Sequence, residues 1–213
     1  MPNLCDRAFA AIYDPLFAGL ERSGLSALRR KQLGSAGGET LEVGAGTGLN
    51  LQHYPATVTR LVLSEPEPSM AKNLRRRAAK DPRSPEVVIA PGEALPFPDA
   101  SFQTVTASLM LCTAPDPGAV LVEIARVLRP CGRYLFLEHV RAHEGERRAS
   151  WQDRLERSWS LFAGGCHPNR ETAALLRSSP LTIERLDQIE MPRIAGPLVR
   201  PAIIGSAIRR AGR

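Results

Sequence analysis

Residues 39 to 48, Glu39-Thr40-Leu41-Glu42-Val43-Gly44-Ala45-Gly46-Thr47-Gly48, constrain the fold more than any other stretch of the chain. Leu41 and Val43 alternate with Thr40 and Glu42 in the period of a short strand, and three glycines at every second position follow at once. Without Cβ atoms the backbone takes positive φ and comes close to a ligand, and amides in such a turn at a helix start suit an anion or a polar head group. A tight strand-to-helix connection with no ligand is the plainer alternative. The nicotinamide-dinucleotide fingerprint wants glycines at relative positions 1, 3 and 6. Leu49 holds the sixth place counted from Gly44 and Leu51 the sixth counted from Gly46, so both registers fail.

The rest of the chain alternates strand and helix patterns. Helical spacing of Phe9, Ile12, Tyr13, Leu16, Phe17 and Leu20, then Gly24 and a segment from Leu25 to Leu33, predicts two helices ahead of the first strand. Thr57 to Ser64 reads as the second strand and ends at Glu65-Pro66. Glu65 lies 23 positions after Glu42, near where a nucleotide-binding βαβ unit puts the carboxylate that accepts both ribose hydroxyls. Alternatively, Glu65 and Glu67 only keep a loop soluble. A basic helix over 69–80 and a short buried strand, Val87 to Ile89, follow. Phe102 to Ala107 is the fourth strand. Asp116-Pro117 caps a helix with Val120, Leu121, Ile124, Val127 and Leu128 on one face. Tyr134 to Leu137, Thr182 to Gln188 and Pro201 to Ala207 complete the strands, the last two as a β hairpin.

Glu42-x-Gly44-x-Gly46-x-Gly48 resembles the first motif of the class I S-adenosylmethionine (SAM) methyltransferases. Gly92-Glu93-Ala94-Leu95-Pro96-Phe97-Pro98-Asp99-Ala100-Ser101-Phe102 is similar to the segment after the third strand in methyltransferases of the ubiquinone/menaquinone-biosynthesis type. Leu-Glu-His-Val at 137–140, Gly-Gly-Cys-His at 164–167 and Leu-Val-Arg-Pro at 198–201 resemble a narrower group, the small alkyl-thiol methyltransferases and their soluble bacterial relatives. The resemblance implies an α/β, Rossmann-like, seven-stranded, mostly parallel sheet with helices on both faces and a C-terminal hairpin, in one domain over 1–213. Residues 1–36 are then helices over the cofactor, and 141–180 a helical insertion near the acceptor pocket.

The resemblance also implies SAM as cofactor, S-adenosylhomocysteine as product, and a set of contacts. The loop of Glu42, Gly44, Ala45, Gly46 and Gly48 wraps the methionine part, with Glu42 helping to hold its ammonium. Glu65, with Pro66, takes the ribose. The family's usual Asp near the adenine is absent, Pro91 standing there, which passes that contact to Glu93 with the Gly92 and Ala94 backbone. Tyr13 lines the pocket from the leading helix, and Ser108 lies where the fourth strand ends, facing the reacting methyl. At Arg129-Pro130-Cys131-Gly132 the family has two glycines, and Cys131 replaces one, straining or shifting the turn.

The formal charge is +6, from 28 basic and 22 acidic side chains, but Arg75-Arg76-Arg77 and Arg209-Arg210 are too short for a nucleic-acid patch. Cys5, Cys112, Cys131 and Cys166 form no CxxC pair, and His53, His139, His143 and His167 have no zinc-like spacing, so no metal is expected, and reduced thiols in the cytoplasm are. No stretch approaches the roughly 20 apolar residues of a spanning helix. A peripheral membrane contact stays compatible with that.

Discharging a sulfonium onto an incoming nucleophile favours an apolar, water-poor pocket. A thiol with a pKa of about 8.5 needs its proton removed, and His139 and His167 are the candidate bases, with Glu138 to orient either; both are equally read as structural. Cys112 reads as a small core residue with no His in sequence context to activate it. Trp151, Leu155, Trp159 and Phe162 form one face of a helix, packed on the sheet or lining an apolar acceptor pocket, and Asn169 caps the next helix. The small-molecule acceptor is therefore expected to be lipophilic, with a thiol favoured. Phospholipid or quinone methylation is the near alternative, and a non-catalytic SAM-binding protein the alternative of another class.

Overall fold

The computed structural model describes residues 13–15 and 17–209; the expected helix positions Phe9, Ile12 and Leu16, and Cys5, lie outside them. Seven strands run in chain order as β1 Gly38–Val43, β2 Val58–Ser64, β3 Glu86–Val88, β4 Phe102–Ser108, β5 Leu128–His139, β6 Leu181–Glu190 and β7 Pro201–Arg209. They make one sheet in the order β3-β2-β1-β4-β5-β7-β6. The first five are parallel, and β7 runs antiparallel to both β5 and β6. Strand order reverses between β1 and β4, and a crevice for a ligand opens outside the carboxyl ends of strands at such a point.

Alternation sorts the side chains into two cores. Leu41, Val43, Val62, Val105, Tyr134 and Phe136 face one layer, where the helix Pro117–Val127 buries Val120, Leu121 and Ile124 completely. Leu61, Leu63 and Leu135 face the other, with Leu33 and Leu74. The helices are α1 Ser26–Leu33, α2 Pro68–Ala78, α3 Pro117–Val127, α4 Arg147–Phe162 and α5 Thr172–Ser178. Residues 13–15 and 17–20 are helical, and a wide turn at Glu21–Leu25, with Gly24 at φ 134°, joins them to α1. Proline opens both α2 and α3, and Glu67 and Asp116 cap them by accepting from Met70 N (2.6 Å) and Ala119 N (3.0 Å). Among the described residues no helix is long and apolar enough to cross a membrane.

Four local expectations are corrected. The glycine turn leads into a single 3-10 turn, Leu51–His53, instead of an α-helix, because Tyr54 precedes Pro55 and is already extended at ψ 130°. β3 lies at the sheet edge and is only half-buried, with Ile89 beyond it and 47% exposed, so it is no buried strand. The cap position of α5 is Glu171; Asn169 instead donates to Asp153 Oδ1 at 3.2 Å. The aromatic face of α4 does not pack on the sheet. Ala149 and Gln152 are its buried residues, and Gln152 Nε2 donates to the carbonyls of Val140, Pro168 and Leu198 while its Oε1 accepts from Ala142 N, which stands the helix off the core.

Cys131 does carry strain. Its φ is +62°, where a Cβ meets the following carbonyl and an L-residue loses roughly 1–2 kcal/mol. Gly132 beside it has no such freedom to change, since a Cβ there would lie 2.8 Å from Arg129 O. Cys131→Gly should therefore raise stability by about 0.5–1 kcal/mol after the larger chain entropy of glycine is subtracted. A urea midpoint that falls in the variant would reject this account.

Candidate active site

The carboxyl end of β1 turns through Gly44, Gly46 and Gly48 at φ 68°, 57° and 88°. Two of these glycines are required by packing. A Cβ on Gly44 would run into Met110 Cγ, and one on Gly48 would sit 2.8 Å from Leu74 Cδ1 and 3.0 Å from Leu51 Cδ1. Gly46 differs, for a Cβ there would meet nothing within 4 Å. It faces the open crevice, and its N–H donates to Glu65 Oε2 at 2.8 Å. Glu65, just past β2 and 7% exposed, also accepts from Glu67 N at 3.0 Å through Oε1. Burial raises its carboxyl above the usual range, and the two N–H donors oppose that shift. A nearly buried carboxylate thus stands at the mouth of an open glycine turn, with lone pairs left on both oxygens. Pro66 follows it directly.

Behind the turn lies a polar brace that sequence reasoning missed. Glu42, buried at the end of β1, accepts from Asn50 Nδ2 (2.8 Å) and Tyr54 Oη (2.9 Å). Asn50 also donates to Ser108 Oγ (2.9 Å) and accepts from Arg29 Nη1 (3.0 Å); Ser108 in turn donates to Gln32 Oε1 (2.6 Å). Burial pushes Glu42 up to about 7, against the hydrogen bonds from Tyr54 and Asn50 and the charge of Arg29. The network fastens α1 to the ends of β1 and β4.

A second tie joins the leading helical residues to the glycine turn. Arg77 donates from Nη2 to Asp14 Oδ2 (2.7 Å) and from Nη1 to Thr47 O (2.9 Å), while Thr47 Oγ1 donates to Asp14 Oδ1 (2.6 Å). Tyr13, next to Asp14 in the chain, stacks on Phe17 with centroids 4.3 Å apart. Burial pushes its hydroxyl up to about 12, with Arg29 opposing and Cys112, Glu65 and Glu21 adding. On the far side Gly92 is buried, where a Cβ would crowd Val120 and Val43 at 3.1 Å. Glu93 Oε1 accepts from Asp116 N at 3.2 Å, which ties the 92–94 turn to the start of α3. Ala94 is exposed.

The two candidate histidines separate. Glu138 orients neither: it is fully buried, and its Oε1 accepts the N–H groups of Met110 and Leu111, both at 3.0 Å. Successive strand residues face opposite sides, so Glu138 braces the turn after β4 while His139 points away from it. His139 Nε2 lies 3.0 Å from Cys166 Sγ, and Trp159 Nε1 donates to the same sulfur at 3.4 Å. The ligand atoms of Cys112, His139 and Cys166 all lie within 4.8 Å of one another, a grouping that the spacing of these residues along the chain did not foretell. The bond from Cys112 holds the Cys166 thiol down at about 4 against burial, with His139 and Trp159 assisting. That bond and burial push Cys112 well up. Burial acts to lower His139, but Cys166 and Glu138 outweigh it and raise it. His167 is elsewhere: its N–H donates to Cys112 O (2.9 Å) and its Nδ1 pairs with Glu156 Oε1 of α4 (2.5 Å).

A cleft of about 800 Å³ opens beside α4, walled by Trp151, Leu155, Trp159, Pro197 and Leu198 and rimmed by Glu146, Arg147 and Arg148. Trp159 belongs to both this cleft and the sulfur cluster.

Against known proteins, the methyltransferase domain family matches residues 41–136. The human thiol S-methyltransferase TMT1A is 33% identical over 204 residues, which span 94% of this chain and 83% of that protein. A phosphatidylethanolamine N-methyltransferase of Cereibacter sphaeroides is 32% identical over 63% of this chain and 66% of its own length. Among solved structures, geranyl diphosphate methyltransferase in complex with SAM superposes with a TM-score of 0.70 at 16% identity, covering 91% of this chain and 88% of that one, which speaks to the fold alone.

Proposed function

Because the chain belongs to the class I S-adenosylmethionine-dependent methyltransferases, we propose that its acceptor is a small lipophilic thiol that enters the cleft beside α4. Trp159 carries this reading. Its ring walls an apolar cleft large enough for such a molecule, and its Nε1 touches the sulfur of Cys166 at the carboxyl end of the sheet. The name of the human relatives supports the same acceptor class.

The cofactor is SAM, and the residues fit it: the open face of Gly46 leaves room, and Glu65 keeps lone pairs for a vicinal diol. When bound, it supplies an electrophilic methyl on a sulfonium centre. In the proposed arrangement the backbone of Gly44, Ala45, Gly46 and Gly48 cradles the methionine part, with Glu42 behind it. Glu65 and Pro66 take the ribose, Gly92, Glu93 and Ala94 the adenine, and Tyr13 and Ser108 close the two ends. The Asp14–Thr47–Arg77 tie keeps Tyr13 in position and water out. His139 is engaged by Cys166, so the two are assigned to act on the acceptor thiol together and not as a free base, with His167, backed by Glu156, as the other catalytic candidate.

A cytoplasmic location goes with this reading. A phospholipid or quinone acceptor is the second one, favoured by Leu161 and Phe162, which end α4 at 82% and 87% exposure and suit a membrane surface. The test is transfer of labelled methyl from SAM to a small alkyl thiol, beside a lipid extract and a no-acceptor control. Label in the thioether is the expected result. Label confined to the lipid fraction would replace the thiol by the second reading, and SAM binding with transfer to neither would favour a non-catalytic binding protein.

A further inference from the structure

Three metal-ligating side chains converge on the acceptor side of the crevice, and nothing in the cofactor reading uses them. Cys112 follows β4, His139 ends β5, and Cys166 sits in the turn between α4 and α5. These segments are far apart in the chain, and the adjacency of β4 and β5 is what unites the first two. An ion with metal–sulfur bonds of about 2.3 Å and a metal–nitrogen bond of about 2.0–2.1 Å in a tetrahedron has ligand–ligand edges of about 3.5–3.8 Å. The cluster, with every ligand atom within 4.8 Å of the others, needs its widest edge drawn in by at most about 1 Å and the 3.0 Å His139–Cys166 contact opened by about 0.5 Å to match three such corners.

Three further observations point the same way. Cys112 and His139 are 2% and 5% exposed, so the ligands are shielded from water. His139 Nε2, the ring nitrogen 3.0 Å from Cys166 Sγ, is the one that meets the sulfurs, and Nδ1 on the other side of the ring is buried. Trp159 donates an N–H to the Cys166 sulfur, the kind of outer contact that orients a thiolate ligand. Two sulfurs and an imidazole, with no carboxylate among them, select a borderline-soft ion over magnesium or calcium. The two cysteines are free thiols, not a disulfide.

We propose that Cys112, His139 and Cys166 bind a zinc ion whose fourth position takes the acceptor thiol as a thiolate. This rests on the thiol reading for its fourth ligand only. Three protein ligands and one open position are the arrangement of reactive zinc, and a coordinating thiol is deprotonated outright. The acceptor's S–H bond breaks, a sulfur–zinc bond forms, and the proton leaves to solvent. The methyl acceptor is then an anion at the end of the cleft that Trp159 walls, with no free histidine base needed.

The test uses the full chain, reduced with a phosphine and freed of zinc, titrated with cobalt(II). The expected result is uptake of about one equivalent with tetrahedral ligand-field bands and a sulfur-to-cobalt charge-transfer band, all displaced by zinc. Cys166→Ser and His139→Ala should each weaken uptake by at least about tenfold, with circular dichroism to verify the fold; if either fails to fold, the zinc content and cobalt spectrum of the unaltered chain decide. An alkyl thiol added to the cobalt form should then shift the ligand-field bands. No tetrahedral cobalt spectrum in the reduced chain, or one unchanged in both folded variants, overturns the site. Bands that the thiol leaves unmoved overturn the open fourth position. SAM binding by calorimetry on the metal-free chain, and the labelled-methyl assay, report on the methyltransferase reading separately, so failure of the metal site is distinguishable from failure of the acceptor class.

Discussion

Replacing Glu65 by alanine is expected to weaken SAM binding by about 10²–10⁴-fold while leaving the fold intact. Two hydroxyls on a charged carboxylate contribute about 1.5–3 kcal/mol each, and a tenfold change in affinity is about 1.4 kcal/mol. The loop suffers less. The N–H groups of Gly46 and Glu67 lose their acceptor, but both residues are partly exposed, so water replaces it and the loss is about 1 kcal/mol for each and a few degrees in melting temperature. Glu65→Gln will not be conservative. Each carboxylate oxygen receives a backbone N–H, so whichever way the amide lies, one N–H confronts an NH₂ group. Calorimetric titration with SAM, beside thermal melts, measures both effects. An alanine variant that binds within about fivefold of the parent chain, a difference near 1 kcal/mol, would reduce Glu65 to a loop tether and remove it from the ribose.

The placement of Glu65 just past β2 and against the glycine turn was legible because it is local: a strand end at a fixed distance from that turn. The cap at Asp116 shares that locality, since the side chain bonds an amide three residues on, whereas Glu67, which caps α2 in the same way, was read only as a loop carboxylate. What stayed hidden is whatever depends on which strands lie side by side. Cys112, with no histidine near it in the chain, reads as an inert core residue until β5 is set beside β4 and brings His139 to it. The α4 stripe of Trp151, Leu155 and Trp159 is a helical face in any reading, but periodicity says nothing of what the face meets, and the buried Gln152 decided that. Arg29, Asn50 and Tyr54 gave no signal because isolated polar residues in unremarkable spacing look like surface. Glu138 is a different case: the alternation of strand side chains already puts it on the opposite face from His139, and the two cannot form an orienting pair.

Glu42 is expected to make this protein less stable as pH rises, which is the reverse of the usual carboxylate effect. Its folded-state pKa of about 7 stands above the ordinary 4.5, so the folded chain binds the extra proton between those values. The stability from the protonated form is fully present below about pH 4.5 and is lost as pH passes 7, by about 3 kcal/mol at about 1.4 kcal/mol per unit. Arg29, Asn50 and Tyr54 face the carboxylate and Glu65 adds a like charge, yet burial dominates. Glu65 and Glu138 are raised in the same direction, while Asp81 and Glu123 are lowered by arginine partners and act oppositely, so the whole-protein curve does not isolate Glu42. The difference from Glu42→Gln does. Glutamine keeps the geometry: its oxygen accepts from Asn50, and its NH₂ donates to Tyr54 Oη, which then donates to Thr106 Oγ1, now 2.6 Å away. Urea midpoints should coincide for the two chains near pH 5 and favour the glutamine chain by about 2–3 kcal/mol at pH 8. Parallel curves at both pH values would mean that the buried carboxylate titrates normally. The place proposed for Glu42, behind the methionine part of the cofactor, makes use of its negative charge when the crevice is filled. The same variant separates that too, for loss of the charge should weaken SAM binding most at pH 8 and least at pH 5, following the ionised fraction of Glu42.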